Sequence, residues 1–159
     1  PVMAEGVHGR GADGLGYLTA ASGGGALLAA LAKAAGAGQA GISVVTRLVL
    51  VGGMAALAAL GLSDGWWLAL TWTAALGFAS TFVAVGLQAA MQEALPDAMR
   101  ARVMSLWVVM AIGPVALGSA AMGVAAGAFG LPAVLLVSGG AGIVLAAVLT
   151  LPWRRRYVT

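Results

Sequence analysis

Residues 103–153 read VMSLWVVMAIGPVALGSAAMGVAAGAFGLPAVLLVSGGAGIVLAAVLTLPW, 51 positions between Arg102 and Arg154 without one charged side chain. A bilayer-crossing helix needs roughly 20 apolar residues, so this run is too long for one crossing and long enough for two. It carries its own hinge, Gly127-Ala-Phe-Gly130-Leu-Pro132, where glycine and proline permit a tight turn between helices. Hydrocarbon offers no water to the backbone, so each crossing must be a helix whose hydrogen bonds close internally. The sequence predicts an all-α, polytopic membrane helix bundle.

Composition agrees with that reading. Apolar residues make up 62% of the 159 positions and charged residues 8%, against roughly 25% charged in an ordinary soluble domain. Five acids and eight bases cannot cover a soluble globule of this length with charge. There is no cysteine, which excludes disulfides, thiol catalysis and cysteine-ligated metals. The first residues lack the basic segment and apolar run of a secretory leader. The chain begins at Pro1 without an initiator methionine, and a fragment whose upstream part is missing is the expectation.

Charges divide the rest into further spans. Helices are expected at about 14–32, 44–62, 66–88, 103–126 and 131–151, all within one transmembrane domain over 1–159. Lysine and arginine then set orientation, because short cytoplasmic loops hold the excess. Lys33, Arg47, Arg100, Arg102, Arg154, Arg155 and Arg156 all fall on one side if the helices alternate, and only Arg10 falls opposite. That predicts a cytoplasmic C-terminus and an external N-terminal end. Trp66, Trp67 and Trp153 stand at helix ends, where interfacial aromatics collect. Five crossings with an external start suggest a set of six that has lost its first, and Trp-Arg-Arg-Arg-Tyr before Thr159 suggests a true C-terminus.

Several motifs carry little chemistry. Gly36-Ala-Gly38-Gln-Ala-Gly41 has the glycine spacing of a dinucleotide loop, but no strand precedes it, so it reads as a linker. His8, with Glu5, Arg10 and Asp13 nearby, falls short of the three or four ligands that a metal requires. No Ser–His or paired-carboxylate arrangement points to an enzyme, and no cofactor, metal or nucleic-acid partner is expected. Small residues at four-residue spacing (Ala21/Gly25, Gly25/Ala29, Ser119/Gly123, Gly123/Gly127) would let helix backbones approach. Gly113-Pro114 removes a hydrogen bond inside the fourth helix and marks a kink.

Polar groups within the membrane are costly and tend to mark a pathway. The third helix carries Thr71, Thr73, Ser80, Thr81 and Gln88, followed by Gln92. Hydroxyls can bond their own helix backbone, which is the plainer reading for threonine and serine. Thr81, Gln88 and Gln92 are the candidates for lining a transport path. The strongest local signal is Leu95-Pro96-Asp97-Ala-Met-Arg100-Ala101-Arg102-Val103-Met104. Pro96 ends a helix, Asp97 suits the next N-terminus as a cap, and Arg100 is spaced to pair with it.

This stretch resembles the cytoplasmic loop between the tenth and eleventh helices of major facilitator superfamily transporters. It is most similar to the branch of enterobactin exporters and macrolide efflux proteins, the transmembrane secretion effector family. Members carry Val/Leu-Pro-Asp-x-x-Arg-Gly-Arg-Val-Met there, and Ala101 replaces the glycine. Gly14-Leu-Gly16-Tyr17 through Gly25-Ala-Leu resembles the start of the family's eighth helix, and Gly113-Pro-Val-Ala-Leu-Gly118 its eleventh. A charged motif usual between helices eight and nine is reduced here to Lys33 and Arg47.

The resemblance implies helices eight to twelve of a twelve-helix secondary transporter in a bacterial inner membrane. It further implies export of a hydrophobic compound, drug or siderophore, with Pro96, Asp97, Arg100 and Arg102 as a cytoplasmic gate. The partners implied are the bilayer, the absent N-terminal half and a small-molecule substrate. The alternatives are a membrane scaffold or assembly protein without transport, and the membrane subunit of a multi-component importer.

Overall fold

The computed structural model describes residues 11–37, 44–63 and 65–150. These form five α-helices and no strand: α1 (Gly11–Ala34), α2 (Val44–Gly61), α3 (Trp66–Ala94), α4 (Asp97–Phe129) and α5 (Leu131–Thr150). All five are long and apolar enough to cross a membrane. His8, Arg10, Gly38 to Gly41, Asp64, Trp153, the three terminal arginines and Thr159 lie outside the described residues.

Two helices outrun their apolar segments. α3 continues to Ala94 rather than stopping near Gln88, and α4 begins at Asp97 rather than Val103. An apolar run measures hydrocarbon thickness, not helix length, and charged residues at the interface continue a helix readily. At 1.5 Å per residue the 33-residue α4 is about 50 Å long, against roughly 30 Å of hydrocarbon.

The connections follow local chemistry. α1 ends in a Schellman turn: Gly36, at φ 94°, donates to the Lys33 carbonyl and Ala37 to that of Ala32. The first glycine of the supposed linker is therefore a helix cap. The α4–α5 hinge narrows to one residue, Gly130 at φ 81°, whose N–H bonds the Ala126 carbonyl. Pro132 follows in the first turn of α5, where no helical N–H is needed. Asp97 is not a cap. Pro96 holds that position, no side chain caps the helix, and Asp97 lies in the first turn with its charge facing the dipole.

In space the helices run α1, α3, α2, α5, α4, with α1 packed most extensively on α3 and α4 held chiefly by α5. Lipid gives no hydrophobic drive between helices, so close packing must supply the attraction. A Cβ on Gly77 would collide with the Ser22 carbonyl, and one on Gly139 would lie 2.7 Å from the Ala58 nitrogen. A small apolar core of Leu60, Ala69 and Leu135, flanked by Trp72 and Leu76, closes the end away from the basic residues. Large side chains such as Leu28, Leu117, Val124 and Val137 point outward, as lipid-facing surfaces require. No residue of α4 is buried.

Candidate functional site

The basic end of the bundle gathers the polar chemistry. Arg100 Nη1 lies 2.8 Å from Asp97 Oδ1, one helical turn along. Its Nη2 reaches back to the Leu95 carbonyl at a long 3.4 Å. One guanidinium thus links the end of α3 to the first turn of α4 across Pro96. The Asp97 side chain is 90% exposed and that of Arg100 46%, so the pair contributes no more than about 1 kcal/mol. Arg102 is exposed two residues further on, and its carbonyl accepts from the Ser105 hydroxyl.

A second cluster sits where α1, α2 and α3 meet. Lys33 Nζ lies 4.0 Å from the centre of the Phe82 ring, a cation–π contact favoured in a site short of water. Gly86 makes the room: a Cβ there would stand 2.9 Å from Lys33 Nζ and 3.9 Å from Thr46 Oγ1. Thr46 is buried. Arg47, the next residue of α2 and about 100° further around it, has its Nε shut off from solvent with no hydrogen-bond partner. The sequence marks Lys33 and Arg47 as orienting charges and, by resemblance, as the remainder of a charged motif. Phe82 and Gly86 carry no sequence signal, since their role depends on which helix faces them.

The hydroxyls of α3 satisfy themselves on their own helix. Thr71 donates to the Trp67 carbonyl at 2.9 Å, Thr73 to Ala69 at 2.7 Å and Ser80 to Gly77 at 3.1 Å. Thr81 is half-buried, while Gln88 and Gln92 are exposed. These three share one face of α3, about 100–160° around the helix from Ser80, Val83 and Leu87. That second face lines a cavity of about 320 Å³ with Leu50, Gly53 and Met54 of α2 and Trp107 and Ala111 of α4. Thr81, Gln88 and Gln92 do not contribute to it. A wider apolar hollow of about 550 Å³ lies between α4 and α5, lined by Met122, Phe129, Val134 and Ser138 among others.

Gly113 and Pro114 stand in mid-α4, which continues through them as helix. Pro114 has no N–H to give the carbonyl four residues back, and open space surrounds Gly113. Among the described residues, no group of three His, Cys, Asp or Glu could hold a metal ion.

A model of the transmembrane secretion effector family matches residues 1–158. Neither a curated protein nor a solved structure matches the chain. The match extends over nearly every residue, and the chain belongs to this family of membrane transporters of the major facilitator type.

Proposed function

We propose that this member of the transmembrane secretion effector family forms five helices of one half of a two-half secondary transporter that exports a small apolar compound, drug or siderophore. The observation that carries the reading is the family match across residues 1–158. Alternating access in such carriers rocks two helical halves about a site at their shared face. On this reading α1 to α5 are one wall, and the outward α4 and the Thr81–Gln88–Gln92 face of α3 turn toward the other half. Pro96, Asp97, Arg100 and Arg102 form the cytoplasmic gate element, with the C-terminal end in the cytoplasm of a bacterial inner membrane. The positive charge at that end supports the orientation.

The test is efflux from cells stripped of their own exporters. This chain preceded by seven upstream helices, the last of which reaches the external start of α1, should lower the retention of a fluorescent apolar compound. Retention equal to that of cells without the carrier, at verified membrane abundance, would end the exporter reading.

A further inference from the structure

We propose that α1 and α3 pivot on one another: a mid-helix glycine crossing is the fixed point, and Lys33 over Phe82 is the clasp that yields at the basic end of the bundle. The two helices run side by side in the same direction and in one register. Ser22 meets Gly77 and Gly25 meets Ala74, backbone against backbone. Lys33, eight residues beyond Gly25 and so about 12 Å along α1, stands level with Phe82 and Gly86.

The two contacts differ in kind. At the crossing, main-chain atoms of the opposite helix fill the places where a Cβ would stand, so neither helix can slide without a collision. At the clasp, a flexible four-carbon stem brings the Lys33 ammonium to 4.0 Å from the centre of the ring. A ring face attracts a cation without a fixed bond direction, so the attraction weakens gradually as the helices part. Phe82 is 2% exposed and stacks on Phe78 with ring centres 5.6 Å apart, so the ring is held and the lysine is the moving part. Lys33 is half-buried in the last turn of α1, where the helix dipole favours a cation. A weak contact set beyond a fixed fulcrum holds the helix ends together in one state and releases them in another. In a rocking carrier this lets the basic end of α1 part from α3 while the bundle stays whole. That use rests on the half-carrier reading, whereas the pivot is measurable without transport.

Spin labels at Ala34 and Gln88 report the basic end, and labels at Leu15 and Leu68 the opposite end; all four positions are exposed. The distances are measured on the whole chain in bilayers. Lys33→Met keeps the stem and removes the charge. It should raise the longer-distance population between Ala34 and Gln88 about two- to fivefold, the equilibrium equivalent of a partly exposed cation–π contact. Phe82→Leu, which removes the ring, should do the same. So should Gly86→Ala, whose methyl would stand 2.9 Å from Lys33 Nζ and push the ammonium aside. Lys33→Met combined with Gly86→Ala should do no more than either alone, and Leu15 and Leu68 should keep their distance throughout. A parent-like distribution at the basic end in any single variant would overturn the proposal. Additive effects of Lys33→Met and Gly86→Ala, or equal loosening at both ends, would overturn it as well.

Discussion

Gly25 lies against the Ala74 carbonyl so closely that a Cβ could not be accommodated. Gly77 meets the Ser22 carbonyl in the same way, so α1 and α3 cross backbone to backbone at two reciprocal points. Gly23 faces open space two residues away. Gly25→Leu should therefore weaken the fold by about 1–3 kcal/mol or more, the range for overpacking, and Gly23→Leu should be nearly silent. Unfolding midpoints in sodium dodecyl sulfate check this, and equal midpoints for the two variants would refute the crossing.

The cost of an added methyl should depend on what yields. A Cβ on Gly139 would meet the Ala58 nitrogen at 2.7 Å and the Met54 carbonyl at 2.9 Å, neither able to move without its helix. A Cβ on Gly86 would meet the tip of Lys33 at 2.9 Å, and a lysine tip can rotate away. Gly139→Ala should lower the unfolding midpoint clearly and Gly86→Ala little. The reverse order would misplace the α2–α5 contact.

Orientation can be read with an impermeant thiol reagent. Leu62 is 67% exposed at one end of the bundle and Met99 53% at the other. Ser63, nearer the turn, is buried with its hydroxyl on the Leu60 carbonyl, and would be a poor reporter. Cysteine at Leu62 should label from outside intact cells, and cysteine at Met99 only after lysis. The opposite pattern would invert the topology that the arginines imply.

The five spans are legible in the sequence because hydrocarbon imposes one requirement on every crossing: a long apolar run with its backbone bonds satisfied internally. The pairing of helices is not legible, because small residues advertise closeness without naming a partner. Gly25 and Gly123 both fall in four-residue small patterns, yet Gly25 touches α3 and Gly123 faces open space. Gly77 has only the bulkier Thr73 and Thr81 at that spacing, lies between Leu76 and Phe78, and makes an equally close contact. At the candidate site, the Asp97–Arg100 pair follows from spacing along one helix. The cavity walled by Leu50, Val83 and Trp107 does not, since apolar residues from three helices leave no local signature.

The five helices alone should not transport. A site at the shared face of two halves cannot form from one, and α4 has no buried residue to suggest a closed wall. Saturable, substrate-specific flux into vesicles holding only this chain would count against the half-carrier reading.

Gating and topogenic charge at the α3–α4 turn have different consequences for transport. Arg100 bonds both Asp97 and the Leu95 carbonyl in this conformation, while Arg102 is exposed nearby. A gate element exchanges such partners as the carrier rocks, so Asp97→Ala and Arg102→Ala should slow transport at unchanged abundance. The exposed pair is worth no more than about 1 kcal/mol, little beside folding. An energy of about that size still shifts a two-state equilibrium roughly fivefold, enough to change a cycling rate. If the arginines only orient the chain, each substitution should be silent, because Lys33, Arg47 and Arg154 to Arg156 still hold the topology. Flux per carrier in the assembled transporter decides the matter: wild-type rates for both variants would end the gating role of this turn.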